Sequence, residues 1–502
     1  MTRRFFSSGV FPVLLFSLLG FLTMGYHPGA EDDGVYLASI KADLNPALFP
    51  HDAAWFQLQM RSSIFDTCMA HFVRASHLSV DWAELLGQIF SLLLIMAASW
   101  SILSRLFSRA SARWGGLALL SGLLTLPVAG TALYIADQYL HPRNPATALI
   151  LFAVARILAR RRVQAVPLLL GAFLLHPMMG AFGISFCCIL ALTHSSRARS
   201  AAQSLRASLS RRPAQVAAPM AALVPLGWMF QPPSSAWLDA MSTRHWFHLY
   251  QWTWYEWLGA LGPLVLFGLL IRLARRNGNS TLARFAAAVL IYGVFQQLVA
   301  MILNGPRALV VLSTLEPMRY LHLVYVFLVL IGGALLGQHL LQARAARWAA
   351  FLVLIYGPMF AVQRQLFAAT PHLELPGRAT SNPWLQSFDW VRRNTPTGAF
   401  FALGPRYMAE PGEDMHSFRA LAERSVLADA LKDTSVISKA PDLAPLWRRQ
   451  IDAQAGWNGF QLPDFERLKA QFGVDWVLLA YPPPAGLPCP WRNQGLSVCR
   501  IP

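Results

Sequence analysis

Long apolar runs separated by short clusters of arginine make up most of this 502-residue chain. Many runs approach the ~20 residues an α-helix needs to cross a hydrocarbon core. The clusters fall at Arg105/Arg109/Arg113, Arg160-Arg161-Arg162, Arg197 to Arg212, Arg275-Arg276 and Arg344/Arg347. They recur on alternate breaks, and positive residues gather in cytoplasmic loops. A soluble domain is about a quarter charged, whereas here 13% of residues are charged and 55% hydrophobic. The chain therefore reads as an all-α polytopic membrane bundle. Its net charge of +17 comes mostly from those loops. No basic stripe with interleaved aromatics lies on a soluble segment, so nucleic acid is not expected as a partner.

Spans are expected at 5–26, 83–104, 114–136 with a kink at Pro127, 146–158, 163–193, 214–230, 258–272, 282–303, 320–341 and 348–366. The 163–193 run has arginines at both ends, so it must go out and return, breaking at His176-Pro177. Broken helices at membrane depth line a cavity or are covered by protein, which places a cavity near His176, open to the outer side. The total is about eleven membrane segments, N-terminus cytoplasmic. No A-x-A site closes the first run, so it is expected to stay as an uncleaved helix. Residues 1–366 form the transmembrane domain.

Residues 367–502 are more polar. Helical patterns (383–393, 443–454, 463–472) alternate with strand-like runs (399–403, 474–480, 496–501). This reads as a small α/β extracytoplasmic domain. It holds no Gly-rich phosphate loop, GxSxG or HExxH, which leaves a lid or docking role. Cys489 and Cys499 flank a Pro-rich turn and can pair as a disulfide outside the cytoplasm. Cys68, Cys187 and Cys188 show no metal-ligand spacing.

The first outer loop, 26–82, is too long for a simple connection. It opens with Gly25–Tyr36, which carries Glu31-Asp32-Asp33 in a chain of only 25 acidic residues. From Asp52 to Val73 the apolar spacing predicts amphipathic helices lying in the membrane interface. The outer face also receives His51, Asp52, Asp137, His141, Arg143, His176 and Arg319. Carboxylates such as Asp33 and Asp137 can hold a divalent cation, or one can act as base on an acceptor hydroxyl. Guanidinium groups suit a phosphate leaving group. Simpler readings stay open: acids at a helix exit are often only solvated, and Asp137 can simply pair with Arg143. The aromatic loop 231–256, with Trp237, Trp246, Trp252 and Trp254, is either an interfacial belt or a hold for a sugar or isoprenoid tail.

This combination resembles the GT-C superfamily of membrane glycosyltransferases, which includes protein mannosyltransferases, aminoarabinose transferases and oligosaccharyltransferases. Glu31-Asp32-Asp33 matches the acidic motif of its first outer loop. Asp137 matches a further acid in its second, and Arg319 a basic residue that contacts the lipid phosphate. The resemblance implies an inverting transfer from a polyprenyl-phosphate sugar to a lipid, glycan or protein acceptor, with no nucleotide cofactor, at the outer face of a bacterial inner membrane. Asp32 or Asp33 would deprotonate or orient the acceptor, and Asp137 would assist directly or through Mg or Mn. Arg143 and Arg319 would stabilise the leaving phosphate. Glu31, Tyr36, His51, Asp52 and His176 would help bind substrate. No subfamily signature and no WWDYG-like motif is present. A transporter or lipid flippase, or an inactive scaffold of the same fold, are the alternatives.

Overall fold

The computed structural model describes residues 9–195, 232–305 and 307–502. The expected span 214–230, the arginines at 197–212 and the start of the first apolar run lie outside the described residues. Helix α1 (Val10–Met24) ends at Gly25, where φ is 82°. Glycine is needed there, because a Cβ would come within 2.9 Å of the His372 carbonyl oxygen and the left-handed backbone favours it. Three helices form the first loop: α2 (Asp33–Leu44), α3 (Ala54–Ser62) and α4 (Phe65–Ser76). The last two occupy the stretch whose apolar spacing predicts amphipathic helices.

The bundle continues through α5 (Val80–Leu106), α6 (Ala110–Gly122), α7 (Arg143–Leu158), α8 (Ala165–Leu175) and α9 (Pro177–Thr193). Then come α10 (Ser235–Ser242), α11 (Trp254–Arg276), α12 (Ser280–Asn304), α13 (Leu321–Leu336) and α14 (Ala345–Leu366). Among the described residues, five helical stretches are long and apolar enough to cross a membrane: Val80–Leu106, Trp254–Arg276, Ser280–Asn304, Leu309–Leu341 and Ala345–Leu366. Val10–Met24, Arg162–Leu175 and Pro177–Thr193 are apolar but shorter. The larger expected count rested on such short segments as well.

One expected span is corrected. The apolar run 114–136 is not a helix kinked at Pro127. α6 stops at Gly122, and Pro127–Val128 (β1) pairs antiparallel with Leu133–Tyr134 (β2). The turn between them needs Gly130, with φ of 61° and the Trp252 ring 2.4 Å from where its Cβ would stand. Glycines also let α6 and α13 approach closely. A Cβ on Gly115 of α6 would stand 2.3 Å from the Gly333 carbonyl of α13, and one on Gly337 2.1 Å from Ser111 O. Such small-residue faces let backbones approach within a membrane bundle.

The C-terminal region holds α15 (Pro383–Asn394), β3 (Phe400–Ala402), α16 (Phe418–Ala422), β4 (Ser425–Val426), α17 (Asp433–Ile437), α18 (Ala444–Ala453), α19 (Leu462–Phe472), β5 (Trp476–Ala480), β6 (Trp491–Arg492) and β7 (Leu496–Arg500). Its five strands order as β4-β3-β5-β7-β6, with β3 parallel to β4 and β5 and the rest antiparallel. Successive residues of a strand face opposite sides. Phe401, Leu478 and Val498 accordingly pack with Phe388 of α15, while Phe400, Val477 and Cys499 pack with Phe465 of α19. Cys489 and Cys499 are joined as a disulfide.

This region is stitched to the first loop. Tyr26 N–H donates to His372 O, Glu374 N–H to Tyr26 O, Glu31 N–H to Met415 O and Ser417 N–H to Gly29 O, all between 2.8 and 3.0 Å. Apolar residues of α2, α3 and α10 join Ala420, Ile437 and Trp447 in one cluster. The acidic stretch is thereby held between the bundle and the C-terminal sheet.

Candidate functional site

α2 begins in the acidic cluster, with Asp32 as N-cap and Asp33 as its first residue. Negative charge is favoured at a helix N-terminus. The two neighbours then diverge. Asp33 is fully buried and its Oδ2 accepts from Gly29 N–H at 2.6 Å. Burial pushes its carboxyl up to about 7, against that hydrogen bond and the Lys41 ammonium. Asp33 closes the 29–33 turn. Asp32, 37% exposed, lines a cavity of about 150 Å³.

The cavity gathers both signs of charge. Its acids are Glu31, Asp32 and Glu316, and its cations are Arg244, Arg319, Lys432 and Lys439. Lys432 Nζ donates to Asp32 Oδ1 at 3.1 Å. Burial opposes the charge on Asp32, but the Lys432 ammonium and Arg319 guanidinium hold the carboxyl well below the usual carboxylate range. Burial pushes Glu31 the other way, up, with Lys432 resisting and Asp32 and Asp137 adding to it. Arg319 pairs with Glu316. The Arg244 guanidinium donates to Thr434 Oγ1 at 2.9 and 3.2 Å and lies 5.1 Å from the Trp246 ring centroid. Burial brings Arg244 down to about 10, so it stays charged at neutral pH. Lys439 Nζ has no ion-pair or hydrogen-bond partner among the described residues. With Glu31 disfavoured as an anion, positive charge exceeds negative, which suits an anionic ligand beside an ionised carboxylate.

Three residues of this wall sit in the left-handed backbone region without being glycine: Glu31 at φ 50°, Ala132 at 52° and Glu316 at 48°. Each costs roughly 1–3 kcal/mol and persists where the surroundings fix it, commonly at functional sites. Tyr36, Trp55 and Trp246 supply flat apolar faces. His176 is on the wall too, accepting from Met179 N–H through Nδ1 at 3.4 Å as the N-cap of α9. His141 accepts from Arg143 N–H at 3.0 Å and meets the Tyr36 ring edge-on. Burial, with Arg143 adding to it, drives its pKa far down, so it is neutral.

Of the residues singled out in the sequence, Glu31, Asp32, Tyr36, His141, His176 and Arg319 line the cavity. Five others do not. Asp33 is turned into the protein as described. Asp137 and Arg143 pair with each other, both almost fully buried. The Asp32 and Asp137 carboxylates are near enough to Asp33 to raise its pKa, and Asp32 likewise raises that of Asp137, yet of the three only Asp32 faces the cavity. His51 stacks on Phe400 at 4.6 Å between ring centroids. Asp52 Oδ2 accepts from Arg419 Nε at 2.6 Å and Val426 N–H at 3.1 Å. These two fasten the first loop to the C-terminal sheet. Asp33 and Asp137 fall short of a divalent-cation site: the Arg143 guanidinium takes one oxygen of Asp137 and Gly29 N–H one of Asp33, and among the described residues no group of three or more His, Cys, Asp or Glu is placed to hold a metal.

Arg244, Glu316, Lys432 and Lys439 were not anticipated as site residues. One signal was present: only four of the 42 basic residues are lysine, at 41, 432, 439 and 469. Two of those four line the cavity, and Lys41 is buried against Glu423 and Ala420 O. A chain that uses arginine for its loops keeps lysine for these places.

The fold and site define a largely helical chain with membrane-length helices and a charged cavity where bundle and C-terminal sheet meet. No family model matches the chain, and no curated protein matches it. Among solved structures it is similar to an oligosaccharyltransferase of Archaeoglobus fulgidus, tethered with an acceptor peptide, at 12% identity and a TM-score of 0.46, over 95% of this chain and 69% of that one.

Proposed function

We propose that the protein is a membrane glycosyltransferase that moves a sugar from a polyprenyl-phosphate donor to an acceptor hydroxyl on the outer face of the membrane. The observation that carries this reading is an ionised carboxylate, Asp32, facing Arg244, Arg319 and Lys439 across one small cavity at an end of the bundle. In the reaction, Asp32 orients the acceptor hydroxyl and takes its proton as the acceptor oxygen bonds to C1 of the sugar. The bond from C1 to the phosphate oxygen breaks, and its electron pair leaves with the lipid phosphate. Arg319, Arg244 and Lys439 receive that charge. Lys432 holds Asp32 in its ionised form until the acceptor replaces it as hydrogen-bond partner. Attack opposite the leaving group inverts the sugar.

A transporter would need a charged path to both ends of the bundle. The clefts at the opposite end share no lining residue with this cavity, which favours an enzyme. The test is transfer from a lipid-linked sugar donor, the donor being named by the polyprenyl-phosphate sugar that accumulates in cells lacking the gene. Removing a general base typically costs 10²–10⁴-fold, so Asp32→Asn should lose roughly that much. A folded Asp32→Asn protein with full transfer activity would sink the assignment.

A further inference from the structure

At the end of the bundle away from the candidate site, the turns at 106–110, 276–280 and 341–345 surround two adjoining clefts. One measures about 410 Å³, inside the roughly 300–1,000 Å³ of ligand pockets. The other, more open, measures about 640 Å³, and both include Arg109 and Gln338. The deeper cleft has apolar walls from Leu106, Leu270, Leu273 and Leu335 and a rim carrying Arg105 and Arg109. Neither cleft has an Asp or Glu among its lining residues. The candidate site, by contrast, sets three acids against its four cations. The side chains of Arg105 and Arg109 have no hydrogen-bond or ion-pair partner among the described residues. Asn279 Nδ2 donates to Leu106 O at 3.0 Å and fixes α12 against α5 at the cleft. Trp114 and Trp348 line the open cleft, and tryptophan settles at head-group depth.

We propose that this cleft binds an anionic phospholipid of the surrounding bilayer, with its phosphate at Arg105 and Arg109 and an acyl chain along Leu270, Leu273 and Leu335. Charge complementarity selects the occupant: two guanidiniums without a partner among the described residues and with no acid in the cleft lining, beside an apolar wall. Basic pockets between membrane helices hold anionic head groups in this way. Arginines spread over this end would attract anionic lipid diffusely, whereas a cleft makes the attraction local.

The test is retention of lipid by the full chain in detergent, read by native mass spectrometry, with phosphatidylglycerol, phosphatidylcholine and inorganic phosphate as probes. Phosphatidylglycerol should bind roughly tenfold or more tighter than phosphatidylcholine. The double variant Arg105→Gln/Arg109→Gln should lose that preference. Arg275→Gln/Arg276→Gln removes two exposed charges at the same end but outside both clefts, and should keep it. Leu273→Trp, which fills the apolar wall and leaves the charges alone, should weaken phosphatidylglycerol binding. Equal loss in both arginine pairs would mean diffuse charge and overturn the proposal. So would a preference that survives Arg105→Gln/Arg109→Gln, or full competition by inorganic phosphate alone.

Discussion

The clasp behind the acidic stretch makes a sharp prediction. Glu374 Oε1 accepts from His27 Nδ1 at 2.7 Å and from His416 Nε2 at 3.1 Å, while His416 Nδ1 donates to Glu413 O at 3.0 Å. Both His416 nitrogens thus face acceptors, so the ring must carry two protons. Burial disfavours that cation, but Glu374 and the Glu413 carbonyl raise its pKa. Burial likewise opposes the Glu374 charge, and His416 with His27 brings the carboxyl down to about 2 from an ordinary 4.5. That preference is worth roughly 3 kcal/mol. The other groups facing the pair are Glu413, Asp414, His27 and His372. The Glu374 contribution is complete above about 4.5 and is lost as pH falls towards about 2. The His416 contribution is complete below its ordinary 6.5 and is lost as pH rises through its higher folded value. The clasp should therefore be tightest near pH 5.5. Replacing Glu374→Gln leaves a buried imidazolium unpaired, which costs about 3–5 kcal/mol. The readout is hydrogen exchange at the Glu31 and Ser417 amides, which bond Met415 O and Gly29 O across the seam. Their protection at pH 5.5 should drop by roughly 100-fold or more in the variant. Protection that is unchanged in Glu374→Gln, or flat in the parent from pH 5.5 to 9, would refute the assignment of charge.

Other outcomes follow from packing and from the cavity. Gly333→Ile drives a branched side chain into Gly115 O, 2.4 Å from the Gly333 Cβ position, and should lower stability by at least 1–3 kcal/mol, roughly, in a thermal melt. Opening the Cys489–Cys499 bridge, whose partners are 10 residues apart, by Cys489→Ser/Cys499→Ser should cost about 2–3 kcal/mol in the C-terminal region without changing transfer kinetics. Lys439→Gln should raise KM for the lipid-linked donor more than it lowers kcat, because the Lys439 ammonium holds no hydrogen-bond or ion-pair partner among the described residues. An unchanged KM would remove Lys439 from the phosphate side of the cavity.

How much of this could be read from the chain depended on distance along it. Five of the expected spans, 83–104, 258–272, 282–303, 320–341 and 348–366, were legible because apolar length and arginine clusters are local features. The three helices and three strands expected in the C-terminal region fell within a residue or two of their patterns, since β-branched and aromatic runs bounded by turns are local too, whereas the short elements α16, β4, α17 and β6 left no pattern long enough to read. Pro127 misled, because a proline in an apolar run fits a kinked helix as well as a hairpin, and only the Trp252 ring against Gly130 decides between them. Asp137 misled for the opposite reason: its partner Arg143 was six residues away and visible, and composition cannot tell a paired acid from a free one. Lys432 could not be placed at all, since it reaches Asp32 only through the fold. The lysine count was the trace it left.

The stitching of the acidic stretch has a consequence for how the protein is made. Asp32 meets Lys432 across a separation of 400 residues, and His27 meets Glu374 across 347. At about 5–20 residues per second, roughly 20–80 s pass between synthesis of the first partner and the second. During that interval the early helices insert while the loop after α1 meets only the bundle, through contacts such as His27 N–H to Gln138 O, and lacks its C-terminal partners. The cavity is completed only when the last quarter of the chain arrives, so a ribosome-bound fragment ending near residue 400 should expose the 27–33 segment to protease and shield it once residue 440 has emerged. The order of translation acts as an interlock, since a chain that stops short of Lys432 and Lys439 lacks part of the cavity wall.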